Sequence, residues 1–239
     1  MQFRQLASFL AVVSAASAAP RPQQLNFDDV VILAEDGSYS IVKEAEYANI
    51  MARNNLQPAS AVDLATRSPT PLSKNQRRCG NSDEVQVTSD TKFLNWDVAM
   101  SPVVSAQGGG ASVTLSSGYS LSNSVSVSAT EGVSIESILS FSLSVSYSET
   151  WTSSETQAFQ YSVPDGQFGV VVSQPLVRRV QGNFLSGCVD APDKKIPFTS
   201  DTYTSQTYSG SLNWVQGVIR LCNSTTYPIP YCIGEGSHS

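Results

Sequence analysis

Three observations predict an all-β fold, an elongated antiparallel sheet or sandwich with one long amphipathic Ser/Thr-rich hairpin. From Val113 to Val163 nearly every odd position is apolar or aromatic and nearly every even position is Ser, Thr or another small or polar residue. That period of two belongs to strands. Gly and Pro punctuation recurs between the apolar runs after Cys79, at Pro102, Gly108-Gly109-Gly110, Pro164-Asp165-Gly166, Pro192, Pro197 and Ser209-Gly210. Beyond one turn's worth of spacing at Ile135 to Leu139, no helix period occurs after Cys79.

Taken in order, the chain opens with a secretory signal. Arg4 stands before an apolar run from Leu6 to Ala16, and Ala16-Ser17-Ala18 is a small-residue site, so cleavage is expected after Ala18. The product is expected to be secreted and extracellular, because no later stretch approaches the length of apolar helix that spans a bilayer.

Residues 19–78 differ in composition from residues 79–239 and read as a leader. Inside it, Val30 to Leu33 and Ser38 to Val42 flank Glu35-Asp36-Gly37 as a hairpin, and Lys43 to Arg53 suits a short helix. Pro58, Pro69 and Pro71 mark a low-order tail that ends in Arg77-Arg78. A dibasic pair in a polar segment at a composition boundary fits a kexin-type processing site. Cleavage there leaves a mature 79–239 domain, and the leader is expected to mask assembly until it is released.

The mature segment contains four cysteines, Cys79, Cys188, Cys222 and Cys232. Behind a signal peptide they are expected to form two disulfides, with three connectivities open. The short Pro-containing loop between Cys222 and Cys232 favours that pair, with Cys79 joined to Cys188. No metal or other cofactor is expected, since the one histidine, His238, adjoins the C-terminus and no CxxC spacing occurs. Asn223-Ser224-Thr225 is a glycosylation sequon at Asn223. Six basic residues face thirteen acidic ones, a net charge of −7 for 79–239. That balance excludes a nucleic-acid partner and purely electrostatic docking on anionic lipid.

Strands are expected at Glu84 to Thr88, Phe93 to Ala99, Phe168 to Val172, Leu176 to Phe184, Thr202 to Tyr208 and Leu212 to Leu221. Between Asp97 and Glu131 no charged side chain occurs, so the first arm of the long stretch could lie against lipid. With a turn at Thr130-Glu131-Gly132, the lipid-facing side of a membrane hairpin would be Leu121, Val125, Val127, Val133, Ile135, Leu139, Phe141, Leu143, Val145 and Tyr147. The plainer reading makes the same residues the buried side of a sandwich.

The segment SVSVSATEGVSIESILSFSLSVSYSETWTSSETQAFQYSV (124–163), continuing as PDGQFGVVV, resembles the core of aerolysin-like pore-forming proteins. That resemblance implies an amphipathic hairpin between two long strands, assembly into a homo-oligomer, and action on a host or competitor membrane or cell-surface receptor. The whole chain is also similar to small secreted fungal effector-like proteins, from its signal and dibasic leader to the tail CNSTTYPIPYCIGEGSHS (222–239). No catalytic constellation is visible: His238 stands alone, G-x-S-x-G is absent, and Glu149 and Glu155 are too far apart along a strand for a glycosidase pair. An enzyme is therefore not expected. The competing reading is a secreted binding module for a host protein or glycan, built on Trp96, Trp151, Trp214 and the tyrosines.

Overall fold

The structure is a computed structural model in which residues 22–54, 81–116, 118–127, 132–153, 159–188, 191–208 and 212–239 are described. Residues 22–54 supply β1 (Gln23–Leu25), β2 (Asp29–Leu33), β3 (Tyr39–Lys43) and α1 (Glu44–Asn54). Next come β4 (Asn81–Leu94), β5 (Val98–Ala99), β6 (Val104–Ser105), β7 (Ala111–Thr114), β8 (Ser120–Ser122) and β9 (Ser124–Val127). After these stand α2 (Gly132–Leu143), β10 (Thr150–Thr152), β11 (Phe159–Val163), β12 (Phe168–Cys188) and β13 (Ala191–Thr202). The chain closes with β14 (Ser205–Tyr208), β15 (Leu212–Val215), β16 (Gly217–Ser224), β17 (Ile229–Pro230) and β18 (Ser237–His238).

β12 is the spine. Its 21 residues would extend about 70 Å at 3.3 Å per residue, and its two halves serve two different layers. From Phe168 to Pro175 it pairs with β16 on one side and with β5 and β6 on the other. From Leu176 to Cys188 it pairs with β13 on the first side and β4 on the second. The partner changes at Pro175, which faces Gly217. Gly217 has φ 151°, and a Cβ there would overlap the Gln174 carbonyl, so the crossover needs glycine.

Burial mirrors this division. Residues Gly169 to Pro175 are all buried, since the first half is covered on both faces, whereas the second half buries Val177, Val180, Gly182, Phe184 and Gly187 with half-buried residues between. On one face of the first half, the small sheet β1-β11-β7 and the β14–β15 pair close a core that holds Trp214, Tyr161, Phe159, Val171 and Ile219. On the other, α1 covers Val30, Leu94 and Val218, while Val170, Val172, Cys222 and Ile229 pack beneath the C-terminal segment. Tyr161 donates from its hydroxyl to the Ile219 carbonyl at 3.0 Å, and burial pushes that phenol far above its ordinary range.

The mostly β reading with a large antiparallel sheet holds, but five expectations change. First, the second long arm is not a strand: α2 occupies Gly132–Leu143, Gly132 opens it, and the rest of the proposed Thr130-Glu131-Gly132 turn lies outside the described residues. Second, Phe168 to Phe184 is one strand through Pro175, not two separated runs. Third, Pro192 and Pro197 lie inside β13 rather than breaking it. Fourth, the expected strands 202–208 and 212–221 divide differently, at Thr202, at Ser205 and around Gln216. Fifth, the expected strands 84–88 and 93–99 are replaced by one strand, β4, that runs through both starts and stops at Leu94, with residues 95–97 outside any strand before β5.

Residues 22–54 are built into the same sheets as the rest of the chain. The 30–33 and 38–42 hairpin and its helix form as expected, with Glu44 and Glu46 in the first turn of α1 and Arg53 in the last, which suits the helix dipole. Yet β2 pairs Val30 to Leu33 with Arg220 to Gly217 of β16, and β1 runs parallel to β11. Leu25, Val30, Val31 and Leu33 are at most 3% exposed. At about 1.5–3 kcal/mol each, their burial is worth about 6–12 kcal/mol, comparable with a whole domain's net stability.

Candidate functional site

The stretch with the strongest sequence signal, Ser120 to Thr152, leaves the sheet and returns to it. Its two ends are stitched together by β8 and β10, whose antiparallel register pairs Ser120 with Thr152, Leu121 with Trp151 and Ser122 with Thr150. Asn123 continues the seam: its backbone N–H donates to the Glu149 carbonyl at 3.3 Å, and its amide donates to the Ser146 carbonyl at 2.9 Å.

Beyond that base, β9 adds to the edge of β13, with Val127 opposite Phe198 and Val125 opposite Ser200. α2 then lies over the second half of β12 and β13. Ile135 and Leu139 are 2% and 0% exposed and join Val180, Phe184 and Phe198 in a satellite core, with Ile138, Leu143 and Tyr147 half-buried at its edge. This is a helical i, i+3, i+4, i+8 stripe. Phe141 shares parity with Leu139 but lies on the opposite side of the helix and is 89% exposed.

The helix ends in a cap. The Val145 N–H donates to the Ser140 carbonyl at 3.0 Å and the Ser144 N–H to the Phe141 carbonyl at 3.4 Å, with Ser144 in the left-handed region at φ 53°. These are the two bonds of a Schellman motif, with serine where glycine is usual, at a cost of about 1–2 kcal/mol. Tyr147 then ties the return strand down through its hydroxyl, 2.7 Å from the Ser200 hydroxyl, and burial raises that phenol above its ordinary range.

Between this excursion and the sheet lies a polar cavity of about 510 Å³, walled by Leu143 to Ser146 and Glu149 on one side and by Lys92, Arg178, Tyr203 and Gln216 on the other. A second recess of about 440 Å³ lies against Trp151, Gln206 and Asn213, with no charged residue in its wall among the described residues. Trp151 and Tyr203 meet edge to face at 6.1 Å between the two. Arg178 forks onto Asp90 at 2.6–3.2 Å, which holds that carboxyl below its usual range, and Arg179 pairs with Asp201 at 2.7 Å. The Arg178-Arg179 pair is therefore engaged in the sheet, not free charge.

No family model, no curated protein and no solved structure matches this chain.

The remaining sequence-predicted residues divide between those in place and those beyond description. Ala18, Arg77, Arg78 and Cys79 lie outside the described residues, as does the side chain of Val133. Cys222 and Cys232 are bridged to each other, and Cys188 is also disulfide-bonded. Asn223 lies near the end of β16, half-buried, with its amide nitrogen donating to Gln167. Leu121, Val125, Val127 and Val145 are half-buried. Trp214 is core at 0% exposure, while Trp96 is 37% exposed and packs on Gly234.

Sequence reasoning missed one cluster. The Asp97 carboxylate is buried and accepts from Gln174 Nε2 at 2.9 Å and from the Cys232 and Ile233 backbone N–H groups at 2.6 and 3.2 Å. His238 Nε2 lies 3.6 Å from it. The nearby Cys222 and Cys232 sulfurs would complete a metal-like group with Asp97, but their disulfide removes both thiolates. The cluster holds the C-terminal segment to the sheet. Asp97 and His238 stand at opposite ends of residues 81–239, so no local spacing could have revealed their meeting.

Proposed function

We propose that this is a secreted, membrane-acting protein whose Ser120 to Thr152 excursion redeploys as an amphipathic β-hairpin. One observation carries the reading: the register of the β8–β10 ladder. Each pair in it is centred on Glu136, and extending it keeps parity. Ser124 would meet Ser148, Ser126 would meet Ser146, Val125 would meet Tyr147 and Val127 would meet Val145. In these four added pairs each apolar residue faces an apolar partner and each serine a serine, as a strand pair between lipid and lumen requires, while nearer the tip Glu131 would meet Phe141 and Ile135 would meet Ser137. Four polar residues fall on the apolar side, Asn123, Glu131, Ser137 and Glu149, and all but Glu131 lie near an end of the hairpin, at tolerable depths. Asn123 falls at the base opposite Glu149, and Ser137 falls at the tip beside Glu136.

The resting form is compatible with release. Among the described side chains, α2 is held by two fully buried ones and a few half-buried ones, with the cavity of about 510 Å³ beside it. Hairpins from several copies would then pair edge to edge into a closed barrel, leaving no unsatisfied backbone in lipid. The negative charge of the chain makes hydrophobic insertion or a surface receptor the route to the membrane.

Ser126→Cys with Thr199→Cys tests this, because the two residues are paired across β9 and β13. Paired Cα atoms at about 4.5–5.5 Å accept a disulfide. The locked protein should release no dye from vesicles or target cells until reductant is added, with reductant-treated wild type as control. Equal leakage from locked and unlocked protein would exclude deployment of this segment.

A second reading rests on the recess at Trp151. An indole beside the hydroxyls and amides of Thr150, Thr152, Gln206 and Asn213, uncharged among the described residues, suits a neutral oligosaccharide. Glycan-array binding that Trp151→Ala abolishes, together with no leakage from any membrane, would favour it.

A further inference from the structure

We infer that residues 23–54 are a strand-donating subunit that stays seated on residues 81–239 after the chain is cut at Arg77-Arg78, so the processed protein is a two-chain complex. The inference is independent of the membrane reading. It rests on where the contacts of the leader lie. β2 completes the hydrogen bonding of β16 from Gly217 to Arg220, and β1 does the same for β11 from Phe159 to Tyr161. The two faces of β2 feed two different cores: Val31 and Leu33 pack with Val171 and Ile219, whereas Val30 packs with Tyr47, Leu94 and Val218. At the junction Arg220 pairs with Glu44, and Tyr39 meets Phe159 edge to face at 5.3 Å.

All of these leader groups belong to residues up to Tyr47, well before the dibasic pair. A cut at Arg78 therefore severs the tether and none of the contacts. Departure of the leader would strip β16 and β11 of a ladder each and open both cores to water, a loss as large as the net stability of a domain. The partner that the β16 edge fits is thus the chain's own leader, and the chain beginning at Cys79 is incomplete by itself.

The test begins with the full secreted chain, digested with a trypsin-class protease until mass spectrometry shows cleavage at Arg77 or Arg78. Size exclusion in native buffer should give one peak holding both fragments in equal amounts, and concentrated urea should give two. Val31→Asp should leave the uncut chain assembled, since the tether keeps the leader at an effective concentration in the mM range, but should release the leader after cutting. Binding of a synthetic 19–54 peptide carrying this change should be weaker by at least about 100-fold, the effect of burying an unpaired charge. If Val31→Asp does not fold, Leu33→Ala is the milder variant, with the same order of release. Separately expressed Cys79 to Ser239 should unfold without cooperativity until wild-type peptide 19–54 is added. A leader fragment that elutes apart from a folded 79–239 melting at the temperature of the intact chain would overturn the inference. So would equal retention of wild-type and Val31→Asp leaders after cutting.

Discussion

Leu139→Ala and Phe141→Ala form a pair whose outcome depends on whether residues 132–143 obey a helix period or a strand period. The residues are two apart, so a strand would bury both or expose both. On α2 Leu139 is 0% exposed and Phe141 is 89% exposed. Truncating a buried leucine costs about 2–5 kcal/mol, and truncating an exposed residue stays within about 0.5 kcal/mol. For a chain of this length each kcal/mol moves the melting midpoint by about 2–4 °C. Leu139→Ala should therefore lower the midpoint by about 4–20 °C, and Phe141→Ala by no more than about 2 °C. Because the satellite core is small, opening of α2 alone could absorb the change, so amide exchange should be monitored alongside the melt. Exchange in α2 should then accelerate about 30-fold or more in Leu139→Ala. Under the proposed function the same variant should also leak membranes at lower protein concentration, since the latch is weaker. Equal losses at 139 and 141, in melt or exchange, would refute the helical packing.

Three further outcomes are expected. Cys222→Ser with Cys232→Ser opens a loop of sequence separation 10, for which chain entropy gives about 2.7 kcal/mol; a chemical-denaturation midpoint unchanged from wild type would count against it. Asp97→Ala removes the acceptor of Gln174 Nε2 and of the Cys232 and Ile233 amides, at about 1–3 kcal/mol for each donor left dry, and should speed exchange at those two amides; retained protection would show that the segment is held by other contacts. Burial pushes the Tyr47 phenol up to about 12, and with its folded value above the unfolded 10 its contribution is full below pH 10 and lost as pH rises through 12. Stability should fall across pH 10–12, and Tyr47→Phe should flatten that fall while costing little at neutral pH, because the hydroxyl is buried with no hydrogen-bond partner among the described residues; an identical alkaline profile for the variant would refute the assignment.

The amphipathic stretch was legible because parity is a local property. β7, β8, β9, β10 and β11 all form within 111–163, and Val163-Pro164-Asp165-Gly166 ends β11 in a turn as expected. The helix within that stretch had one local sign: Ile138 breaks the alternation and completes an i, i+3, i+4 set with Ile135 and Leu139. Serine-rich sequence has little helix preference of its own, so the choice fell to the apolar ground offered by Val180, Phe184 and Phe198, which lie far off in the chain. The β2–β3 hairpin and α1 were equally readable, through turn residues and terminal charges.

The sequence alone therefore determined the β class, the 222–232 bridge as the favoured pair and the elements within residues 30–54, because each depends on composition or on neighbours within about one element's length. Tertiary structure alone decided that β2 and β1 complete the β16 and β11 ladders, that β12 runs unbroken past Pro175 to serve two layers, that Asp97 meets His238, and that 132–143 coils rather than extends. Each of these is a pairing between residues far apart in the chain, where the deciding free energy is the burial or hydrogen bond made on contact, and no local period encodes it.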